Sequence, residues 1–398
     1  MIKEFTKKKT RQPVGWETKT LEDVCVRIFA GGDKPKEFSK FKTEKFTIPI
    51  YANGEKNKGL YGYTDEAKVL EPSITISGRG TIGYSEIRNE PFTPIVRLIV
   101  LKPNKEDVDI KFLKNIVSNL DFINSGSSIP QLTVPMVKGY TFSLPPLHQQ
   151  KQIVAILDQA FAAIDTAKAN AAQNLQNVKE LFESYLQNVF ENKGDDWEEK
   201  TLGEVCKIIG GGTPSKKRED FYTGNILWAT VRDMTSEIIK NTQHKITTDA
   251  VKNSSTNIIP KGNVIIATRV GLGKVCLLEK DSAINQDLKA VIPKKDTMLS
   301  ISFLFRWFTS ISEKIINEGT GATVQGVKLT FINSLPISIP LMKEQKEIVQ
   351  KLNALSSETK KLESIYTQKL ADLEEIKKSI LEKAFSGKLA IDNGILTA

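Results

Sequence analysis

The sequence predicts an α+β chain in which two mixed α/β heads are joined by two long antiparallel helices forming a coiled coil. The two halves make a tandem repeat about a pseudo-two-fold axis. Three observations predict this. WETKTLEDVC at 16–25 returns as WEEKTLGEVC at 197–206, and QKQIVAIL at 150–157 returns as QKEIVQKL at 345–352. Each head is written in short apolar runs broken by Gly, Pro and Asn, the signature of strands with substantial loops. Each repeat then ends in a stretch, 150–190 or 345–385, that contains no Gly or Pro. The period of roughly 190 residues is too long for a solenoid unit of roughly 20–50 and fits a domain with an attached arm.

In chain order, residues 1–15 read as a basic tail and 16–147 as the first head, with runs such as TISGRGTIGYS, RLIVLKP and YTFSLPP. A helix is expected near 110–120. Residues 148–194 are the first helical region. Ile153, Leu157, Phe161, Ile164, Ala167, Ala171, Leu175, Val178, Phe182, Tyr185 and Val189 recur there in steps of three and four. Such spacing marks a coiled-coil-like seam on a helix about 60 Å long. Residues 195–342 are the second head, and 343–398 the second helical region with a C-terminal tail. Its seam is read as Ile348, Leu352, Leu355, Leu362, Tyr366, Leu370, Leu373, Ile376 and Ile380.

The offset between repeats grows from 181 at Trp16/Trp197 to 190 at Arg79/Arg269 and 195 at Gln150/Gln345, then stays at 195 to Lys193/Lys388. Insertions have accumulated in the heads while the helices kept their length, as expected of a ruler between variable readers. Two helices with one apolar seam each hide it most simply by antiparallel packing, with the heads at opposite ends. Duplex DNA has local two-fold axes that dimeric readers match with half-sites at fixed spacing. One such chain carries two heads free to read different half-sites.

Composition bounds the function. The 398 residues carry 40% hydrophobic and 26% charged residues, ordinary for a soluble protein of two or three domains. No run approaches a membrane span of roughly 20 residues, and the first residues lack a signal-peptide core, so the expectation is a cytoplasmic protein. Of the net charge of +9, residues 150–190 hold −1 and 345–388 hold +2, leaving about +8 on the part of the chain that is not long helix. Basic heads on near-neutral helices point to a polyanion, most commonly nucleic acid. Cys25 and Cys206 occupy matching apolar runs and read as buried thiols; with Cys276 and only His148 and His244, no zinc-type ligand cluster assembles. Neither a P-loop nor a dinucleotide-binding glycine motif is present, and GLGKV at 271–275 fails the former. No catalytic residue is assigned.

The candidate DNA contacts lie in the heads. The loops AGGDKPK and GGGTPSKKR follow the first strand of each head and offer Lys34 and Lys36, or Lys216, Lys217 and Arg218, to phosphates. Arg79 in ISGRGTIG and Arg269 in IATRVGLG stand between a strand and a glycine turn, placed for guanine or phosphate. Gln131 and Gln325 occupy matching segments before the last strand. Asn53 and Lys56 in YANGEKNKG and Arg232 in TVRD fall where the heads diverge, as two different half-sites require. Phe190 and Phe385 are read as exposed apolar flanks of the helices, available to protein partners.

This arrangement resembles the specificity (S) subunit of type I restriction-modification systems. The residues carrying the resemblance are the two W-x-x-K-T-L-x-x-V-C openings, SGRGTIG at 77–83, LPPLHQQKQIVAILD at 144–158, IPLMKEQKEIVQKLN at 339–353 and ILEKAFSGKL at 380–389. The resemblance implies two target recognition domains, each reading half of a split asymmetric DNA sequence, with helices that set the spacer. It further implies two methyltransferase (M) subunits per chain and restriction (R) subunits joining them. S-adenosylmethionine, ATP and Mg would be bound by those partners and no cofactor by this chain. The first head departs from the second in carrying TPIVRL where NQDL stands at 285–288. A free-standing DNA-binding regulator and a coiled-coil adaptor are the rival readings.

Overall fold

The computed structural model describes residues 13–122, 131–320 and 326–389, and the backbone of 391–392 and 395–396. The basic tail is therefore described only from Pro13, and Gln325 lies outside the described residues. The chain divides into two compact units, Met1–Asn170 with Leu370–Ala398, and Ala171–Lys369. Each unit thus combines one head with parts of both long helices.

In the first unit the head is built on an antiparallel four-stranded sheet in the order Cys25–Ala30, Ile99–Pro103, Ser73–Ile76, Ser85–Arg88. Helix Ile110–Ser118, where a helix was expected, covers it, capped by Asp109 Oδ1 accepting from the amides of Lys111 and Phe112. A three-stranded sheet adds Leu60–Thr64, Ile48–Tyr51 and Thr93–Pro94. The second unit repeats the plan with Cys206–Gly210, Leu288–Pro293, Val264–Ala267 and Val275–Leu278. It then adds Ile238–Ile239 as a fifth strand parallel to the last, so part of the inserted sequence extends the sheet.

The repeated openings join head to helix. Glu17–Thr20 pairs with Thr141–Leu144, and Glu198–Thr201 with Pro336–Ile339, in the same register. The Trp16 indole donates to Gln149 Oε1 at 3.1 Å and Trp197 to Glu344 Oε1 at 3.0 Å. Beside them sits a buried glutamine. Gln150 donates to the carbonyls of Pro145 (2.8 Å) and Asp107 (3.0 Å) and accepts from the Asp109 amide (2.8 Å). Gln345 repeats this with Pro340, Met298 and Ser300 at 2.9, 2.8 and 2.9 Å. Both side chains are fully buried with amide and carbonyl satisfied, so each head is clamped to the first turns of its helix at three points.

The long helices run Leu147–Glu191 and Met342–Phe385, 45 and 44 residues. Within the first unit they are antiparallel, since Asp165 faces Lys377 at 3.6 Å while Lys168 pairs with Glu374. The seam follows the helical repeat more strictly than hydrophobicity. In the first helix Leu186 is buried and Tyr185 is 39% exposed, and in the second Leu362 and Ile376 turn outward while Ser356 and Thr359 are buried. Thr359 returns its hydroxyl to the carbonyls of Leu355 and Ser356, which satisfies it inside the seam.

Two further expectations are corrected. Phe190 and Phe385 are half-buried. Phe190 packs edge-on against Phe303 (5.3 Å) and Phe385 against Phe112 (5.7 Å), each extending a head's core. An apolar ring at a helix end is here covered by the head folded onto that end. Cys25 is only half-buried, while Cys206 is buried; burial pushes all three thiols up to about 12.

Candidate nucleic-acid interface

In the first head, four loops meet at one edge of the sheets. Gly31 donates to Leu98 O (2.7 Å), and a Cβ there would sit 2.6 Å from the Pro94 carbonyl, so only glycine permits this approach. Gly32 bridges Ile95 and accepts from the Val96 amide at 2.8 Å. Asn53 spans the next gap, its Nδ2 donating to Val96 O (2.6 Å) and its Oδ1 accepting from the Gly78 amide (2.8 Å). Arg79, one residue on, is half-buried and donates through Nε and a terminal nitrogen to Gln131 Oε1 at 3.3 and 3.0 Å. Gly80 and Gly83 follow at φ +69° and +88°, completing a turn that side chains resist. Lys56 is exposed in the turn Lys56–Gly59, held by Arg88 donating to Lys58 O.

The second head assembles the same edge from different residues. Gly211 takes the place of Gly31, donating to Leu288 O (3.4 Å) with no room for a Cβ against Ile284 O. The correspondence runs at an offset of 180, one less than at the cysteines, because the first head carries a bulge between Cys25 and Arg27. Thr213 donates to Gln286 Oε1. Arg269 is 53% exposed, with Asp287 3.9 Å away, and its backbone bridges Gly326, next to Gln325. Lys289 beneath donates to Gln286 O (2.8 Å), its ammonium held below the usual lysine range by burial, with Arg269 adding to the depression. Arg232 is exposed on the turn Val231–Asp233, capped by Thr230.

The structure thus unites Arg79 with Gln131 and ties both to the loop bearing Lys34 and Lys36. Lys34, Lys36, Lys216 and Lys217 are exposed, as phosphate contacts require; the Lys34 ammonium lies 4.3 Å over the Phe38 ring. Two readings change. The amide of Asn53 is engaged on both sides, by Val96 O and the Gly78 amide, and braces the loops of the edge. Arg218 is bidentate to Asp220 at 2.8 and 2.6 Å and lies over Phe221, and that carboxylate raises its pKa. Its charge is already compensated. Three features of the edge and its joints are not evident in the sequence alone: Asp287 beside Arg269, the Gln150/Gln345 clamps, and Arg97. The clamps carried a signal as identities between the repeats, and Asp287 and Arg97 only as members of the NQDL and TPIVRL segments in which the heads depart. Among the described residues, no group of three or more His, Cys, Asp or Glu is placed to hold a metal ion. No described helix is long and apolar enough to cross a membrane.

Comparison with known proteins agrees with this architecture. A specificity subunit of the Escherichia coli EcoR124I/EcoR124II restriction enzyme is 33% identical over 217 residues, covering 53% of this chain and 52% of that protein. The chain spans about half the length of several curated relatives it matches. The MjaX specificity subunit of Methanocaldococcus jannaschii aligns over 95% of both chains at 22% identity. A solved chain from a type I restriction-modification system superposes with a TM-score of 0.77 at 20% identity, covering 96% of this chain and all of that one, which shows a shared fold. The family described as the type I restriction modification DNA specificity domain matches twice, at residues 13–176 and 194–374. With both repeats matched over most of its length, this chain belongs to the type I restriction-modification DNA specificity family.

Proposed function

We propose that this chain is the DNA-reading subunit of a type I restriction-modification complex, recognising a bipartite, asymmetric duplex sequence. Each head reads one half-site through its loop edge, and the paired helices set the spacer. The observation that carries this reading is the twice-built edge, in which an arginine between a strand and a glycine turn is braced by different neighbours in each head. One scaffold with two chemistries is what an asymmetric target requires. Lys34, Lys36, Lys56, Lys216, Lys217 and Arg232 contact phosphates and fix register, while Arg79 with Gln131, and Arg269 with Asp287, face base edges.

The chain supplies no chemistry of its own in this reading. Methyl transfer and DNA translocation belong to M and R subunits, two M subunits per chain, which bind S-adenosylmethionine, ATP and Mg. The complex acts in the cytoplasm. The test is to replace residues 16–147 with another head of the family and to sequence the methylome of cells expressing the complex. One half of the methylated sequence changes while the other half and the spacer persist. A change in both halves, or in the spacer alone, would overturn the reading.

A further inference from the structure

We propose that Arg97 is a specificity-determining residue of the first head, donating to a guanine in the half-site that head reads. The inference rests on the DNA-reading function and goes beyond it: Arg97 lies in TPIVRL, where the first head departs from the second, and no arginine of the second head matches it. At the offset of 190 that aligns Arg79 with Arg269, Arg97 aligns with Asp287.

The backbone is the first observation. Val96 and Arg97 both lie in the left-handed region, at φ +51° and +59°. That conformation is uncommon for any side-chain-bearing residue and most costly for a β-branched one such as Val96. Glycine would remove the penalty at either position, yet the chain keeps two side chains there. Such strain persists where surrounding structure over-determines it, and it concentrates at binding sites.

The bracing is the second observation. The Val96 amide donates to Gly32 O (2.8 Å) and the Arg97 amide to Gly31 O (3.0 Å). Val96 O accepts from Asn53 Nδ2 at 2.6 Å. The glycine loop and the Asn53 loop, each independently a candidate DNA contact, therefore clamp this dipeptide. Asn53 links it onward to Gly78, next to Arg79. Both clamped side chains project outward, Val96 being 50% exposed and Arg97 exposed.

Charge is the third. Among the described residues Arg97 makes no ion pair, and Arg79 beside it is held by the neutral amide of Gln131. In the second head the aligned carboxylate lies 3.9 Å from Arg269 and also accepts from Asn285 Nδ2 (3.0 Å). The first head thus presents two uncompensated guanidinium groups on a rigid edge. An exposed guanidinium on a braced backbone, with no carboxylate on it, suits bidentate donation to guanine O6 and N7, the commonest specific contact in the major groove.

The test selects duplexes from a randomised pool with the full-length chain and with Arg97→Ala, Arg97→Lys and Arg97→Gly. Wild type enriches a motif with guanine at one position of one half-site. Arg97→Ala and Arg97→Gly lose that guanine alone, with roughly ten- to hundred-fold less discrimination there. Arg97→Lys weakens it, since lysine lacks the fork. Arg97→Gly melts no lower than wild type because it accepts the left-handed backbone, so its loss of selection cannot be ascribed to misfolding. If all variants enrich the wild-type motif, with affinity reduced equally for every sequence, Arg97 is a phosphate contact and this proposal is overturned. If wild type enriches no motif, the DNA-reading function fails and this inference falls with it.

Discussion

The two heads share a scaffold and differ in how they are fastened to it. Asp158 on the first long helix and Asn353 on the second occupy the same repeat position, at an offset of 195. In the first unit Asp158 takes an exposed lysine, Lys111, at 2.8 Å. In the second, Asn353 Oδ1 takes two nitrogens of Arg306, at 3.0 and 2.8 Å, and Arg306 is buried. Arg306 also pairs with Glu237 at 3.0 Å, which in turn meets Lys360. Glu237 immediately precedes the strand Ile238–Ile239, which has no counterpart among the described residues of the first head. The inserted strand has therefore brought its own tether to the helices. The general lesson is that insertions in a variable head survive where they add a point of attachment, while the glutamine clamps stay common to both.

The largest expected effect breaks this difference. Arg306→Met leaves Asn353 without its donor and Glu237 with Lys360 alone, and the lost charge-assisted hydrogen bonds cost about 1.5–3 kcal/mol. Urea unfolding followed by tryptophan fluorescence checks it, because Trp197, Trp228 and Trp307 report on the second unit. Lys111→Met, at the exposed counterpart, leaves the midpoint unchanged within error. Equal losses from both would show that the two tethers are equivalent.

The clamps should behave alike in the two heads. Gln150→Ala and Gln345→Ala each leave one buried carbonyl, of Pro145 or Pro340, without its donor, at about 1–3 kcal/mol, and free a less buried carbonyl and amide to water. The same unfolding measurement is expected to give matching shifts. A large shift for one and none for the other would mean that only one head is clamped by its glutamine.

A smaller effect separates the glycine loops. Neutralising Lys216 and Lys217 together lowers the slope of log affinity against log salt by roughly 2, whereas Arg218→Gln alters it little because Asp220 already holds that charge. An equal change from Arg218→Gln would show that DNA displaces Asp220. The smallest effect concerns the cysteines. With burial pushing each thiol up to about 12, all three stay protonated at pH 8 and react with a thiol reagent only after unfolding. Cys25, the one half-exposed, is the first to react if any does.

Much of the fold was legible because it rests on periodicity. A stretch without Gly or Pro, apolar at steps of three and four, has few alternatives to a long helix, and the repeated openings located the joints. The errors have one cause: sequence shows what a residue is, and the chain decides what covers it. Tyr185, Leu362 and Ile376 are apolar at nearly the right spacing, yet the seam passes through Leu186, Ser356 and Thr359. Phe190 and Phe385 look like free flanks until a distant aromatic ring closes over them. The candidate interface was legible as loops and not as connections. Nothing local tells that Gln131 meets Arg79, or that Asn53 is consumed in bracing Val96 and Gly78. Arg218 was the exception, since Asp220 stands two residues away.

The central claim is that the helices are a ruler between two independent readers, and a paired insertion tests it most directly. The two units divide the helices at Asn170–Ala171 and Lys369–Leu370. Four residues inserted at both places lengthen each helix by about 6 Å and rotate the helix beyond the insertion by about 40°. That length is close to two base-pair steps of roughly 3.4 Å. Methylome sequencing of cells carrying this chain with its methyltransferase partner is expected to show both half-sites intact and the spacer lengthened by about two base pairs. Retained methylation at the original spacer would contradict the account and reduce the helices to a tether.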